Sequence, residues 1–271
     1  MAVLCYLDDV YKFDIEISSL SHTFITLIVS FLLVSRVSMA LDRYTQARKC
    51  LEIMNRSTRE LIQDVCAHTA QAKSISSKEW RQELAYRSLL LLRTSMEVIS
   101  YPTTHVPAWQ VPELDAYELE SVKRSVFITS ELRRWQQSSS DSTWIETMRV
   151  PIRMAYLLRQ TIHSNEGRLS PPLAELFGSK VLAEVDTFLD GYYGVQTFMT
   201  TPVPFPLIQM ARTFLFLYVF TIPFVMLDDE SSDVAHCFAV FLITYGFIGL
   251  EVVAIGLDNP FGNDENDFDH K

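Results

Sequence analysis

The residues best placed to do chemistry in this sequence are charges set inside or beside long apolar runs. Glu251 lies in the second half of Val234 to Leu257, a run whose other strongly polar side chain is His236 near the start. Arg212, with Gln209, interrupts Phe205 to Leu227. A carboxylate or guanidinium in such a run is costly unless it is paired or faces water. Arg212 is therefore the expected partner of Glu251, and Glu251 is expected to face protein rather than lipid. Arg36 lies within a third run, Phe24 to Leu41, and Arg43 follows it seven residues later, close to the same helix face. Two roles are open to this pair: anchoring a helix end to acidic partners or headgroups, or raising the local concentration of anions. The chain ends in Asp258, Asp264, Glu265, Asp267 and Asp269. Such carboxylates suit a hard cation like Ca²⁺, which takes about six to eight oxygens. The spacing is not that of an EF-hand loop, because no glycine stands at the sixth position from Asp264.

Bond-making chemistry finds no support. The chain has no phosphate-binding glycine loop, no nucleophile elbow, no H-E-x-x-H and no dinucleotide-binding glycine pattern, so an enzyme is not expected. Cys5, Cys50, Cys66 and Cys237 form no C-x-x-C pair and have no histidines at zinc spacing, which reads as free thiols. A net charge of −10 does not suit a nucleic-acid binder, which would want a basic stripe. It does not exclude an anion path, because only the lining of a path matters for permeation. With 48% apolar residues and 8 glycines, the chain is neither disordered nor collagen-like.

The elements that must carry these charges are helices. A bilayer core needs about 20 apolar residues of helix, and the three runs predict membrane helices at about 22–41, 205–227 and 234–257. The linker Asp228 to Asp233 suits a tight, solvated turn between antiparallel spans. Arg43, Arg48, Lys49, Arg56 and Arg59 follow the first run and place that end on the cytoplasmic side or its equivalent, with the large middle region. That region, about 42–201, shows helical stripes at Leu51, Met54, Thr58, Leu61, Ile62 and Val65, and at Leu84, Leu91, Thr94 and Val98. A third helix is predicted from Ser170 as cap with Pro171 at its first position. Loops are predicted at Tyr101 to Pro112 and Ser138 to Ser142. Met1 to Phe13 has neither the basic start nor the apolar stretch of a secretory signal. The fold class is all-α: membrane helices and a large extramembrane helical region in one interleaved domain, closed by an acidic segment at 258–271.

Three segments resemble the bestrophin family, in the right order and framing nearly the whole chain. Ser30 to Lys49 resembles its pore-helix pattern, through Arg36, Asp42, Arg43, Tyr44, Ala47, Arg48 and Lys49. Gly249 to Asp267 resembles its ending, with Asn259-Pro260-Phe261-Gly262 and the aspartates Asp264 and Asp267. Thr201 to Pro206 resembles the approach to a membrane helix. The resemblance implies a pentameric membrane channel for chloride or other small anions, made of identical or related subunits in a lipid bilayer, with an axial pore whose neck positions are Leu27, Phe31 and Ser35. Residues at i, i+4 and i+8 share one helix face, and rings of apolar side chains make a constriction that gates by dewetting. Ser35 departs from the family's phenylalanine and would wet the inner end of the neck. No cofactor is required. The resemblance implies Ca²⁺ as a regulatory ligand, through the Asn259 carbonyl and the Asp264 and Asp267 carboxylates, although Gly256 stands where the animal members have another ligand. The family's first membrane helix finds no counterpart in the first 20 or so residues. The alternative is a non-conducting scaffold or regulatory subunit that co-assembles with channels. The form of the pore-helix motif is similar to the bacterial, plant and algal branch, a resemblance compatible with a plastid membrane, thylakoid or envelope, and one that leaves the organelle open.

Overall fold

The computed structural model describes residues 19–126, 142–165, 168–169, 175–226, 233–262 and 267–268, and every element among them is a helix. In chain order these are α1 (Ser19–His68), α2 (Ile75–Thr104), a 3₁₀ turn (Ala108–Gln110), α3 (Ala116–Val126), α4 (Ser142–His163), α5 (Glu175–Thr200), α6 (Phe205–Val225) and α7 (Asp233–Asp258). They divide into two compact units. One holds residues 1–45 and 201–260, and the other holds 46–200 and 261–271. The division falls close to the predicted limits of the middle region, about 42–201.

α1 corrects the sequence reading most. It is one helix of 50 residues that runs on past Leu41, where the predicted membrane helix ends. No glycine or proline occurs between Ser19 and His68 to stop it. At about 1.5 Å per residue it is roughly 75 Å long, far beyond a bilayer core. The apolar first part belongs to one unit and the charged remainder to the other, with the division between Thr45 and Gln46.

In the first unit, α1 packs with α6 and α7 around Val29, Leu215, Tyr218 and Ile222. Pro206 sits in the first turn of α6, where its missing N–H costs nothing, and Pro223 falls in the last turn. The helices α1, α6 and α7 are each long and apolar enough to cross a membrane. Of the most apolar stretch of α7, only 11% of residues are buried within the chain, so its surface needs an apolar surround.

In the second unit, α4 is central, packed by α2, α3, α5 and the 3₁₀ turn. The core includes Met54, Trp80, Leu84, Leu91, Ile99, Met154, Leu157, Leu158, Ile162 and Tyr192. Its buried polar groups are satisfied across helices: Trp80 Nε1 donates to the Thr161 carbonyl at 2.8 Å, and Tyr192 Oη donates to the Met148 carbonyl at 2.6 Å. Ser74 caps α2, its Oγ accepting from Ser77 N at 3.0 Å. α2 runs on through Pro102 to Thr104, so the predicted loop begins later, at His105, whose φ of 55° gives a left-handed stop. Asp115 and Glu118 form a reciprocal capping box at the start of α3, with Glu118 N to Asp115 Oδ1 at 2.7 Å and Asp115 N to Glu118 Oε2 at 3.2 Å. The start of α5 predicted at Ser170 and Pro171 lies outside the described residues, as do Ser138 to Asp141. Ser142 already begins α4.

Two expectations follow. Gly191 lets α5 approach α1: a Cβ there would meet the Cys50 carbonyl oxygen and Met54 Cγ, each at 3.0 Å. Gly178 in the same helix has nothing within 4 Å. Gly191→Val should therefore destabilise by about 1–3 kcal/mol, whereas Gly178→Ala should stabilise by about 0.5–1 kcal/mol, as read from thermal unfolding in detergent. Separately, burial, followed by the nearby Asp115 charge, pushes the Glu118 carboxyl above its ordinary 4.5. A carboxyl raised in the folded state favours folding fully below its unfolded value and loses that contribution as pH rises through the folded value. Glu118→Gln should remove this slope, so that wild type loses more thermal stability than the variant between pH 5 and pH 8.

Candidate functional site

The first unit presents two features: a ladder of charges within it and an apolar face on its surface. The ladder draws on all three membrane-spanning helices. Arg36 of α1 is 1% exposed and grips Asp258, the last residue of α7, with both ends of its guanidinium. Nη1 donates to Oδ1 at 2.8 Å, and Nη2 donates to Oδ2. Glu251, also on α7, stands with Oε2 4.0 Å from Arg36 Nε. Its Oε1 accepts from Arg212 Nε of α6 at 2.7 Å. The order Arg212, Glu251, Arg36, Asp258 alternates sign and sums to zero. Arg212 and Glu251 each lie about two turns from the same end of the bundle, where α6 begins and α7 ends. A fully buried cation is tolerated in a low-dielectric interior only with such partners.

The contact of Arg36 with Asp258 is the geometry that an anchoring arginine requires. Its charge is buried and neutralised, so it adds little to the field at the surface of α1. Arg43 lies outside the ladder. Its Nη1 and Nη2 both donate to the Thr201 carbonyl at 3.2 Å, tying α1 to the segment that leads into α6. Asp258 is the ladder residue that sequence reasoning missed. The available signal was its register, since Glu251 and Asp258 are seven apart and share one face of α7.

The apolar face belongs to α1. Leu20, Phe24, Leu27, Phe31 and Val34 are exposed and recur every three or four residues; the next exposed positions are Ser38 and Leu41. Leu27 is 64% and Phe31 72% exposed, so neither packs inside the chain. Ser35 is half-buried at the edge of the stripe, and at that level Val34, 63% exposed, carries the stripe onward. At the far end of the unit His22 is buried, stacked on Tyr218 at 4.8 Å between centroids, with its Nε2 3.3 Å from Thr221 Oγ1.

Two of the three expected calcium donors, Asn259 and Asp267, fall among the described residues. Asn259 is exposed at the end of α7 in the first unit, Asp267 is half-buried in the second, and Asp264 lies outside the described residues. No group of three His, Cys, Asp or Glu side chains suited to a metal occurs among the described residues. The acidic segment is not wholly a solvated tail. Phe261 is buried in the core of the second unit, edge-on to Phe198 at 5.4 Å and tilted against Phe268 at 6.0 Å.

Fold and site together define the class: an all-α integral membrane protein whose spanning helices are joined by a buried, neutral charge ladder. The family follows from comparison. A family model described as bacterial and fungal bestrophin protein matches residues 1–270, and the chain belongs to the bestrophin family. It is 22% identical over 257 residues to a voltage-dependent anion channel-forming protein of Synechocystis sp., covering 95% of this chain and 74% of that one. A protein of the same description from Nostoc sp. is 21% identical over 262 residues, covering 95% and 75%. Among solved structures, two single-substitution variants of a bacterial bestrophin homolog from Klebsiella pneumoniae share the fold. One superposes with a TM-score of 0.75 at 15% identity, and the other with 0.73 at 16%. Each comparison covers 99% of this chain and 88% of the other.

Removing one member of a buried ion pair strands the rest. Glu251→Ala should destabilise the detergent-solubilised protein by about 3–5 kcal/mol. Arg212→Ala should cost less, because Arg212 is 38% exposed and solvent or headgroups can take over part of its role.

Proposed function

We propose that this chain is one subunit of an anion channel built from identical copies, five by the family resemblance, with the exposed stripe of α1 lining an axial conduit. The observation that carries this reading is the stripe itself. A membrane-spanning helix keeps Leu27 and Phe31 unpacked on one face while the same helix is locked into its own subunit by Arg36. Lipid alone would accept such a face. The naming of the cyanobacterial relatives as anion channel-forming proteins favours a shared conduit.

Closed around an axis, the Leu27 and Phe31 side chains would form successive apolar rings. Such rings hold anions weakly enough to release them and close the path when it dewets. Arg36 is neutralised by Asp258, so the preference for anions needs another source. The edge of an aromatic ring is electropositive, and rings of Phe31 would offer that edge without a formal charge to trap the ion. Val34 beside the half-buried Ser35 keeps the inner end largely apolar. No step of this mechanism passes through a bound cation.

Purified protein reconstituted in liposomes should dissipate an imposed chloride gradient, followed with a halide-quenched dye. Phe31→Ser should raise the flux roughly threefold or more, equivalent to about 0.7 kcal/mol off the barrier. Vesicles that hold the gradient with correctly assembled protein in them would overturn the channel reading and leave a non-conducting scaffold.

A further inference from the structure

We propose that Asp258 is a positioning residue for anion passage: acting through Arg36, it fixes the rotational setting of α1 and thereby the bore of the conduit at the level of Val34 and Ser35. This rests on the channel reading above. Among the described residues, Asp258 is the side chain that hydrogen-bonds Arg36, and it does so at both Nη atoms. Arg36 Nε and Glu251 Oε2 are both buried without a hydrogen bond, although they stand only 4.0 Å apart. The second carboxylate is therefore near enough to attract Arg36 but is not what holds it. Glu251 already accepts from Arg212.

Arg36 follows Ser35 directly, and consecutive residues project about 100° apart around a helix. Whatever holds Arg36 therefore also sets where Val34 and Ser35 point. A turn of roughly 20° moves a side chain at a radius of about 5–6 Å by about 2 Å. Repeated in every copy around an axis, that displacement shifts Val34 and Ser35 relative to the passage at every position of the ring at once. Asp258 suits the task because it is the last residue of α7, directly ahead of Asn259 and Pro260, and the proline stops the helix from extending.

If the Asp258 charge is removed, the nearest remaining anion for Arg36 is Glu251. Closing that 4.0 Å gap turns α1. Asp258→Asn keeps the size and one acceptor but sets an amide N–H₂ against the second guanidinium nitrogen, so it breaks the two-pronged grip. Asp258→Glu restores the charge on a longer arm.

The test compares wild type, Asp258→Asn and Asp258→Glu in planar bilayers under bi-ionic conditions, reading the permeability of thiocyanate relative to chloride. Each is paired with size-exclusion chromatography and a thermal midpoint in detergent. A second measurement needs no current: the rate at which a charged methanethiosulfonate reagent modifies Ser35→Cys with and without Asp258→Asn, after subtracting the reaction of the native thiols. The expected result is at least a threefold change in the permeability ratio for Asp258→Asn, a ratio closer to wild type for Asp258→Glu, and a changed Ser35→Cys rate, all in protein that still assembles. If Asp258→Asn assembles with the wild-type ratio and the wild-type thiol rate, the proposal is overturned. Should Asp258→Asn fail to assemble, Asp258→Glu decides: an unchanged ratio overturns the proposal and a shifted one supports it. A silent wild type overturns the channel reading and this proposal with it, whereas a conducting wild type with an indifferent Asp258 overturns only the latter.

Discussion

A guanidinium that is 1% exposed among membrane-spanning helices must be neutralised where it stands. Arg36 meets that demand through Asp258, and Glu251 completes the series by drawing in Arg212. Each of the three spanning helices contributes, so the ladder sets their mutual register in a way that apolar packing alone does not. Apolar contacts among Val29, Leu215, Tyr218 and Ile222 supply cohesion, but they tolerate sliding and rotation. Directional, charge-assisted hydrogen bonds do not.

The same constraint explains why α1 can leave an apolar face bare. With Arg36 held inward, Leu27 and Phe31 are turned outward, away from the core of their own unit. The stripe is what makes an apolar conduit between copies physically reasonable. It also separates two jobs that positive charge was expected to combine. Arg36 is paired with Asp258, whereas Arg43 donates to the Thr201 carbonyl and keeps its formal charge.

Much of this was legible in the residues. Three apolar runs predict the spanning helices to within a few residues at most ends, because the cost of exposing apolar side chains to water leaves few alternatives. Glu251 announced its need for a partner because it stands in an apolar run. The length of α1 was missed because the polarity change at Asp42 looks like an end, whereas a helix stops for backbone reasons and nothing between Ser19 and His68 supplies one. Pro102 misled in the opposite sense: a proline within the last turn of α2 can be accommodated there. Asp258 was hidden among neighbouring acids, and only its helical register with Glu251 sets it apart. The burial of Phe261 against Phe198 depends on a pairing between residues distant in sequence, which local pattern does not encode.

The account stands or falls on what the exposed face of α1 meets. The most direct measurement is a density map of the purified protein in lipid nanodiscs, at a resolution that shows side chains. The account predicts several copies around one axis, with Leu27 and Phe31 of every copy turned toward a continuous central passage and Arg36 seated on Asp258 behind them. A single copy, or an assembly in which that face of α1 is turned to lipid and no passage runs along the axis, would contradict it.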